Sequence, residues 1–350
     1  MKKILFLCLF LSFCNTHDIK NKNDLSSILL WLIKDQFNHE LFKYNEDPLM
    51  RTTNSTWQFT PASTSNSTSK TKVILIHGWD YTERSSDLPS SFDKKIAQIT
   101  STWSNALDYY NRDISGSRTS FDFYTFTYRT SDSISKNGTR LAEKLNSVFT
   151  QNDKVIVIAS SMGGLVTRYA MYDPKNTGDV IDFVVTLGTP HYGSPFASSA
   201  YQVSSSTLAE IISFLTNTDG GRGLSHTNNG NGQTTIPNAV NSDLDSLNAN
   251  TSRDSRFYPY VGDLSSDCNA AKTSAIFVTG CSVLKTGSPA FPATDGIVPV
   301  NSAKMADKVS VSQITTKTGF DHLMLTFKVP NNASLSESFF TEVITKIKTF

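Results

Sequence analysis

Four consecutive β-branched residues, Val155-Ile156-Val157-Ile158, run directly into Ala159-Ser160-Ser161-Met162-Gly163-Gly164. A short all-apolar run of this kind is the mark of a strand buried on both faces. Leu165 to Met171 then carries a helical pattern, so the chain has to turn from buried strand to helix within a few residues. Two more runs behave alike: Val73-Ile74-Leu75-Ile76, stopped by His77-Gly78, and Phe183-Val184-Val185-Thr186-Leu187. Phe92–Tyr110 and Ile134–Phe149 carry helix-like patterns, and Phe121–Tyr128 alternates in strand style. Strands alternating with helices predict the α/β class, a mostly parallel central sheet with helices on both faces. At 350 residues the chain is long enough for one such core with insertions.

The strand-to-helix turn is also where chemistry is expected. A nucleophile presented on so tight a turn adopts strained φ/ψ, and the positions two residues away on either side have to be small. For Ser161 those positions hold Ala159 and Gly163, whereas for Ser160 they would hold Ile158 and Met162. Ser161 is therefore the candidate nucleophile, although Ala159 stands where the G-x-S-x-G pattern has its first glycine. An ordinary βα loop rich in Ser and Gly is the plainer reading of the same residues.

A serine nucleophile needs a base, an acid to orient that base, and donors for the oxyanion. With an elbow of this type the acid and then the base follow the serine in the chain. His322, in Gly319-Phe320-Asp321-His322, is the only histidine beyond His226. It follows Val309–Ile314, read as the last core strand. The acid candidate is Asp295, in Thr294-Asp295-Gly296-Ile297-Val298-Pro299, and Asp321 is its competitor. Adjacent loop side chains rarely face one another well, which favours Asp295. The oxyanion donors expected are the N–H groups of Met162, just after the nucleophile, and of Trp79, in the loop after Val73–Ile76. His77 precedes the serine at a strand end and reads as structural.

The remaining features bear on compartment and partners. Lys2 and Lys3 precede the apolar run Ile4–Phe13, too short to span a bilayer and of the form of a signal peptide within residues 1–17. Leu11-Ser12-Phe13-Cys14 has the outline of a lipoprotein box with Phe13 in place of a small residue, so lipid anchoring at Cys14 stays open beside secretion. Cys268 and Cys281 are then an even pair in an exported chain, expected as a disulfide worth about 3 kcal/mol in the chain-entropy model. A net charge of +1 suggests neither nucleic acid nor an anionic membrane as electrostatic partner. No cofactor or metal is expected, and oligomeric state is not legible.

Organisation along the chain follows. Residues 18–71 read as a lead-in, with Leu25, Ile28, Leu29, Leu32 and Ile33 on a helical stripe, ending in a Ser/Thr-rich linker over Thr60–Lys72. The catalytic domain is placed at 72–350. An irregular insertion at about 195–250 interrupts it, holding one apolar helix, Leu208–Leu215, and a Gly/Asn-rich stretch from Asp219 to Gly232. An insertion of this size is expected as a lid that contacts a lipid interface, or as a solvated excursion. Phe257–Val261 resumes the core pattern, and Phe339, Phe340, Val343, Ile344 and Ile347 mark a C-terminal helix with one apolar face.

The stretches Val73–Trp79, Ser160–Tyr169, Leu187–Ser194 and Asp295–Val300 resemble those of bacterial triacylglycerol lipases and related extracellular esterases of the α/β-hydrolase superfamily. The resemblance runs from about residue 72 to the C-terminus without the insertion. It implies an α/β-hydrolase fold, an ester or lipid substrate, a triad at Ser161, Asp295 and His322, and oxyanion positions at Trp79 and Met162. Two departures matter: Ser160 stands where such lipases often have His, and Met324 stands where many place a calcium-binding Asp, so no calcium site carries over. An acyltransferase or phospholipid deacylase would share the triad. A silent lipid- or partner-binding surface protein would not need it.

Overall fold

The structure, a computed structural model, describes residues 39–45, 58–64, 69–80 and 92–350 apart from 202, 204 and 231. The expected leader at 1–17, Cys14 and the Leu25–Ile33 stripe lie outside the described residues.

The strands are β1 (Glu40–Tyr44), β2 (Phe59–Pro61), β3 (Thr71–Ile76), β4 (Phe121–Thr127), β5 (Val155–Ser160), β6 (Ile181–Leu187), β7 (Phe257–Asp263) and β8 (Thr315–Thr318). They form one sheet in the order β2-β1-β4-β3-β5-β6-β7-β8. All pairings from β4 through β8 are parallel, while β1 runs antiparallel to both β2 and β4. The main helices are α1 (Phe92–Asn111), α2 (Ile134–Val148), α3 (Met162–Tyr172), α4 (Ser206–Thr216), α5 (Ser242–Ala249), α6 (Ala275–Thr286) and α7 (Ala333–Ile347). This is the mostly parallel α/β sheet flanked by helices that the sequence predicts.

The apolar runs are explained by two cores, one on each face of the sheet. Successive strand residues point to opposite faces. Ile74, Ile76 and Val157 therefore join Leu141 and Leu145 of α2 and Leu165 and Val166 of α3. Val73, Leu75, Ile156 and Ile158 join Ile99 and Trp103 of α1 and Phe339, Phe340 and Val343 of α7. Burial of each such side chain contributes about 1.5–3 kcal/mol, so a strand with two covered faces has no room for polar alternation.

Two expectations are corrected. The sheet does not begin near residue 72: β1 and β2 extend it, with Phe42 paired to Pro61 and Leu41 to Phe126. Phe42, Tyr44 and Phe59 are buried, so the ends of Thr60–Lys72 are strand rather than linker. Val309–Ile314 is not a strand. Its centre, Val311–Gln313, is a single helical turn with Val311 83% exposed, and the edge strand is the following Thr315–Thr318. Within the 195–250 insertion Phe196, Leu224, His226, Leu244 and Leu247 are buried, while Val240 is 77% exposed.

Candidate active site

β5 delivers Ser161 to the C-terminal edge of the sheet. Ser161 has φ 51 and ψ −126, in the region that favours glycine, and α3 begins at the next residue. Such a conformation costs about 1–3 kcal/mol and persists only where the surroundings enforce it. Here the Ser161 N–H donates to the Leu187 carbonyl at 2.9 Å and the Ser161 carbonyl accepts from the Gly164 N–H at 3.0 Å. The neighbours are small because the backbone is close. A Cβ on Gly163 would lie 2.6 Å from the His77 carbonyl oxygen and 2.7 Å from that of Ile76. Ser160 is buried at the end of β5 and Met162 opens α3, where helix N–H groups have no intrahelical partner.

Asp295 and His322 meet as the sequence order suggests. His322 Nδ1 lies 2.7 Å from Asp295 Oδ2, and the His322 backbone N–H donates to the Asp295 carbonyl at 3.0 Å. The other carboxylate oxygen, Oδ1, accepts from the N–H groups of Ile297 (3.0 Å) and Val298 (2.8 Å). Asp295 is 1% exposed. Burial works against a charged His322, but the charge of Asp295, its hydrogen bond and the charge of Asp321 outweigh it. The ring is held above its ordinary pKa of 6.5.

Gly188 was not singled out as a site residue by the sequence, yet it makes this pair possible. It has φ +63, and a Cβ there would sit 3.1 Å from both Asp295 Oδ2 and His322 Nδ1. The available signal was a glycine placed directly after an apolar strand.

Ser161, His322 and Trp79 line one cavity of about 410 Å³. Its walls are mainly apolar. Leu208, Ile211, Ile212 and Leu215 enter it from α4 at i, i+3, i+4 and i+7, one face of a helix. Phe277 of α6 and Leu224 line it as well. The helix is anchored over the site by Phe214, whose ring centroid lies 5.4 Å from that of Trp79. The arrangement offers a polar corner for a carbonyl carbon beside a hydrocarbon-sized recess.

The remaining candidates separate cleanly. His77 is buried, stacks on Tyr128 at 4.4 Å and places Nδ1 2.8 Å from the Gly78 carbonyl oxygen. Burial pushes its pKa down to about 4, as suits a neutral structural ring. Asp321 points its carboxylate at Thr273 and not at the His322 ring. Cys268 and Cys281 are joined as a disulfide, with Cα atoms 5.6 Å apart. Among the described residues no cluster of three His, Cys, Asp or Glu is arranged to hold a metal ion, and no helix is long and apolar enough to cross a membrane.

The profile of the PGAP1-like alpha/beta domain matches residues 67–261. A comparison with curated proteins returns no match. Among solved structures, the chain is similar to a lipase of Bacillus licheniformis in its mature form, at 19% identity and a TM-score of 0.49, covering 81% of this chain and 95% of that one. It is also similar to a metagenomic carboxyl esterase, at 15% identity and a TM-score of 0.43 over 85% and 80% of the two chains. An alpha/beta hydrolase superfamily protein from Enterococcus faecalis matches at 11% identity and a TM-score of 0.42 over 83% and 94%.

Proposed function

The chain belongs to the PGAP1-like alpha/beta domain family, and from that premise we propose that it is a serine hydrolase of carboxylic esters, with lipid esters as the favoured class. The observation that carries the reading is one cavity lined by a strained Ser161 and by His322, whose far nitrogen is bonded to Asp295.

In this reading Asp295 accepts a hydrogen bond from the Nδ1–H of His322, which keeps the proton on Nδ1 and the lone pair on Nε2. Nε2 takes the Ser161 Oγ proton as Oγ attacks the ester carbonyl, and gives it to the departing alcohol. Water then repeats the sequence on the acyl-serine and frees the acid. Met162 and Trp79 supply the N–H donors for the oxyanion, each worth about 3 kcal/mol of barrier. The apolar recess takes the acyl chain. The disulfide fits an oxidising, extracytoplasmic setting, and the leader of residues 1–17 is read as the route there.

A fluorophosphonate probe and a series of fatty-acyl esters test the proposal. The wild type is expected to be labelled and to release free fatty acid, Ser161→Ala to do neither, and Ser160→Ala to keep much of both. Full labelling of Ser161→Ala overturns the assignment. Transfer to an added alcohol in place of fatty acid release would make the protein an acyltransferase.

A further inference from the structure

We infer that Asp321 is a positioning residue that ties the His322 loop to the disulfide-closed loop between Cys268 and Cys281, and so sets where the imidazole sits. The inference rests on the serine hydrolase reading of the same site.

Asp321 is fully buried, and its carboxylate accepts five hydrogen bonds. Two come from the turn that follows His322: the N–H groups of Leu323 (3.1 Å) and Met324 (3.0 Å) donate to Oδ1. Such bonds occur in any Asx turn and would need no partner elsewhere. The other three cross to a second loop. The N–H groups of Lys272 (2.8 Å) and Thr273 (2.9 Å) donate to Oδ2, and the Thr273 hydroxyl donates to Oδ1 at 2.8 Å. A carboxylate out of water needs its lone pairs filled, so these three bonds form a specific latch.

The loop that supplies the latch is constrained from both sides. Cys268 stands before it and Cys281 lies on α6 after it, and the two are bonded. Ser274 caps α6, its Oγ accepting from the Ile276 N–H at 3.3 Å. The same helix touches the acid loop: a Cβ on Gly280 would clash with the Gly296 carbonyl oxygen, beside Asp295. Its Phe277 ring lies 6.2 Å from the His322 ring. The crosslinked segment thus contacts the loops of both base and acid, and Asp321 is its polar connection to the base. The charge of Asp321 also favours the protonated ring.

Two variants test this on the full chain, Asp321→Asn and Thr273→Val, with a p-nitrophenyl ester as substrate and Ser161→Ala as reference. Asp321→Asn places an NH2 or a neutral oxygen against the N–H donors and removes the charge. It is expected to lower kcat at least about tenfold with KM within about twofold. Its acid limb of kcat/KM, and the NMR titration of the His322 ring, both move to lower pH. Thr273→Val keeps the charge and the Asx turn and removes one latch bond. Its kcat is expected to fall roughly threefold with the acid limb unmoved. Folding of each variant is checked by circular dichroism and thermal midpoint. If the wild type is no faster than Ser161→Ala, the hydrolase reading itself fails. If the wild type is active and Thr273→Val keeps its kcat, the latch is overturned. A folded Asp321→Asn with unchanged kcat and an unchanged His322 titration overturns it as well.

Discussion

A methyl group on Gly78 would lie 2.8 Å from the Cβ of Ser161. The exit of β3 and the turn after β5 are therefore in backbone contact at the nucleophile, and the missing side chain leaves the serine its place. Gly78→Ala has to displace one of the two. Because a shift near 1 Å at a reacting atom costs on the order of 10²-fold, kcat/KM for an ester should fall by about that factor while circular dichroism stays native. An undiminished rate would show that the contact does not hold the nucleophile.

The acid limb of activity should have its midpoint above pH 6.5, because His322 is held above that value and the neutral ring is the competent base. Asp295→Asn removes the charge and the bond that raise it, leaving burial to lower it. The limb should move to lower pH and kcat should fall by about 10⁴-fold, as when a triad carboxylate is made neutral. The sign for stability is opposite to that for activity. A raised folded-state pKa contributes stability that is complete below pH 6.5 and is lost as pH rises through the folded value. A pH series of ester turnover and of His322 ring shifts reads both.

Ile212→Trp tests what the recess holds. The indole would fill space along the α4 face that lines the cavity with Ser161. Short-chain ester turnover should stay within about twofold, while the long-chain to short-chain ratio drops by tenfold or more, a pocket-sized steric effect. An unchanged ratio would place the acyl chain elsewhere.

Arg168 lies wholly out of solvent on α3, with Nη2 3.2 Å from Asp254 Oδ1 and Nη1 2.7 Å from Asn248 Oδ1. It fastens the nucleophile helix to α5 and to the turn before β7. Arg168→Leu strands a buried carboxylate, and urea unfolding should report a loss of about 3–5 kcal/mol. Arg168→Leu combined with Asp254→Leu should recover part of it. If the double variant is no better than the single, the loss is one of packing and not of the stranded charge.

What was legible in the sequence follows physical lines. Val73–Ile76 and Val155–Ile158 announced themselves because strands covered on both faces have no alternative composition. Ser161 could be preferred to Ser160 as the candidate because steric demand at ±2 is local. The pairing of Asp295 with His322 followed from chain order. The edges were less readable. Glu40–Tyr44 is short and owes its strand state to docking on β4, a partner distant in sequence, and Phe59–Pro61 to docking on Glu40–Tyr44 in turn. Val309–Ile314 has the right residues but Val311 faces solvent, while the true edge strand, Thr-Thr-Lys-Thr, is polar. Asp321 read as a rival acid because its five donors come largely from a loop that only the fold brings near.

The strand order carries a consequence for synthesis. Ser161 lies between β5 and α3 in the first half of the chain, while Asp295 and His322, its proposed acid and base, follow β7 and β8. A polypeptide made from its N-terminus first thus carries Ser161 well before the residues proposed to activate it. In the proposed triad, competence would arrive late, when β8 docks at the edge of the sheet and His322 meets Asp295. The topology is in effect a timer for the proposed site.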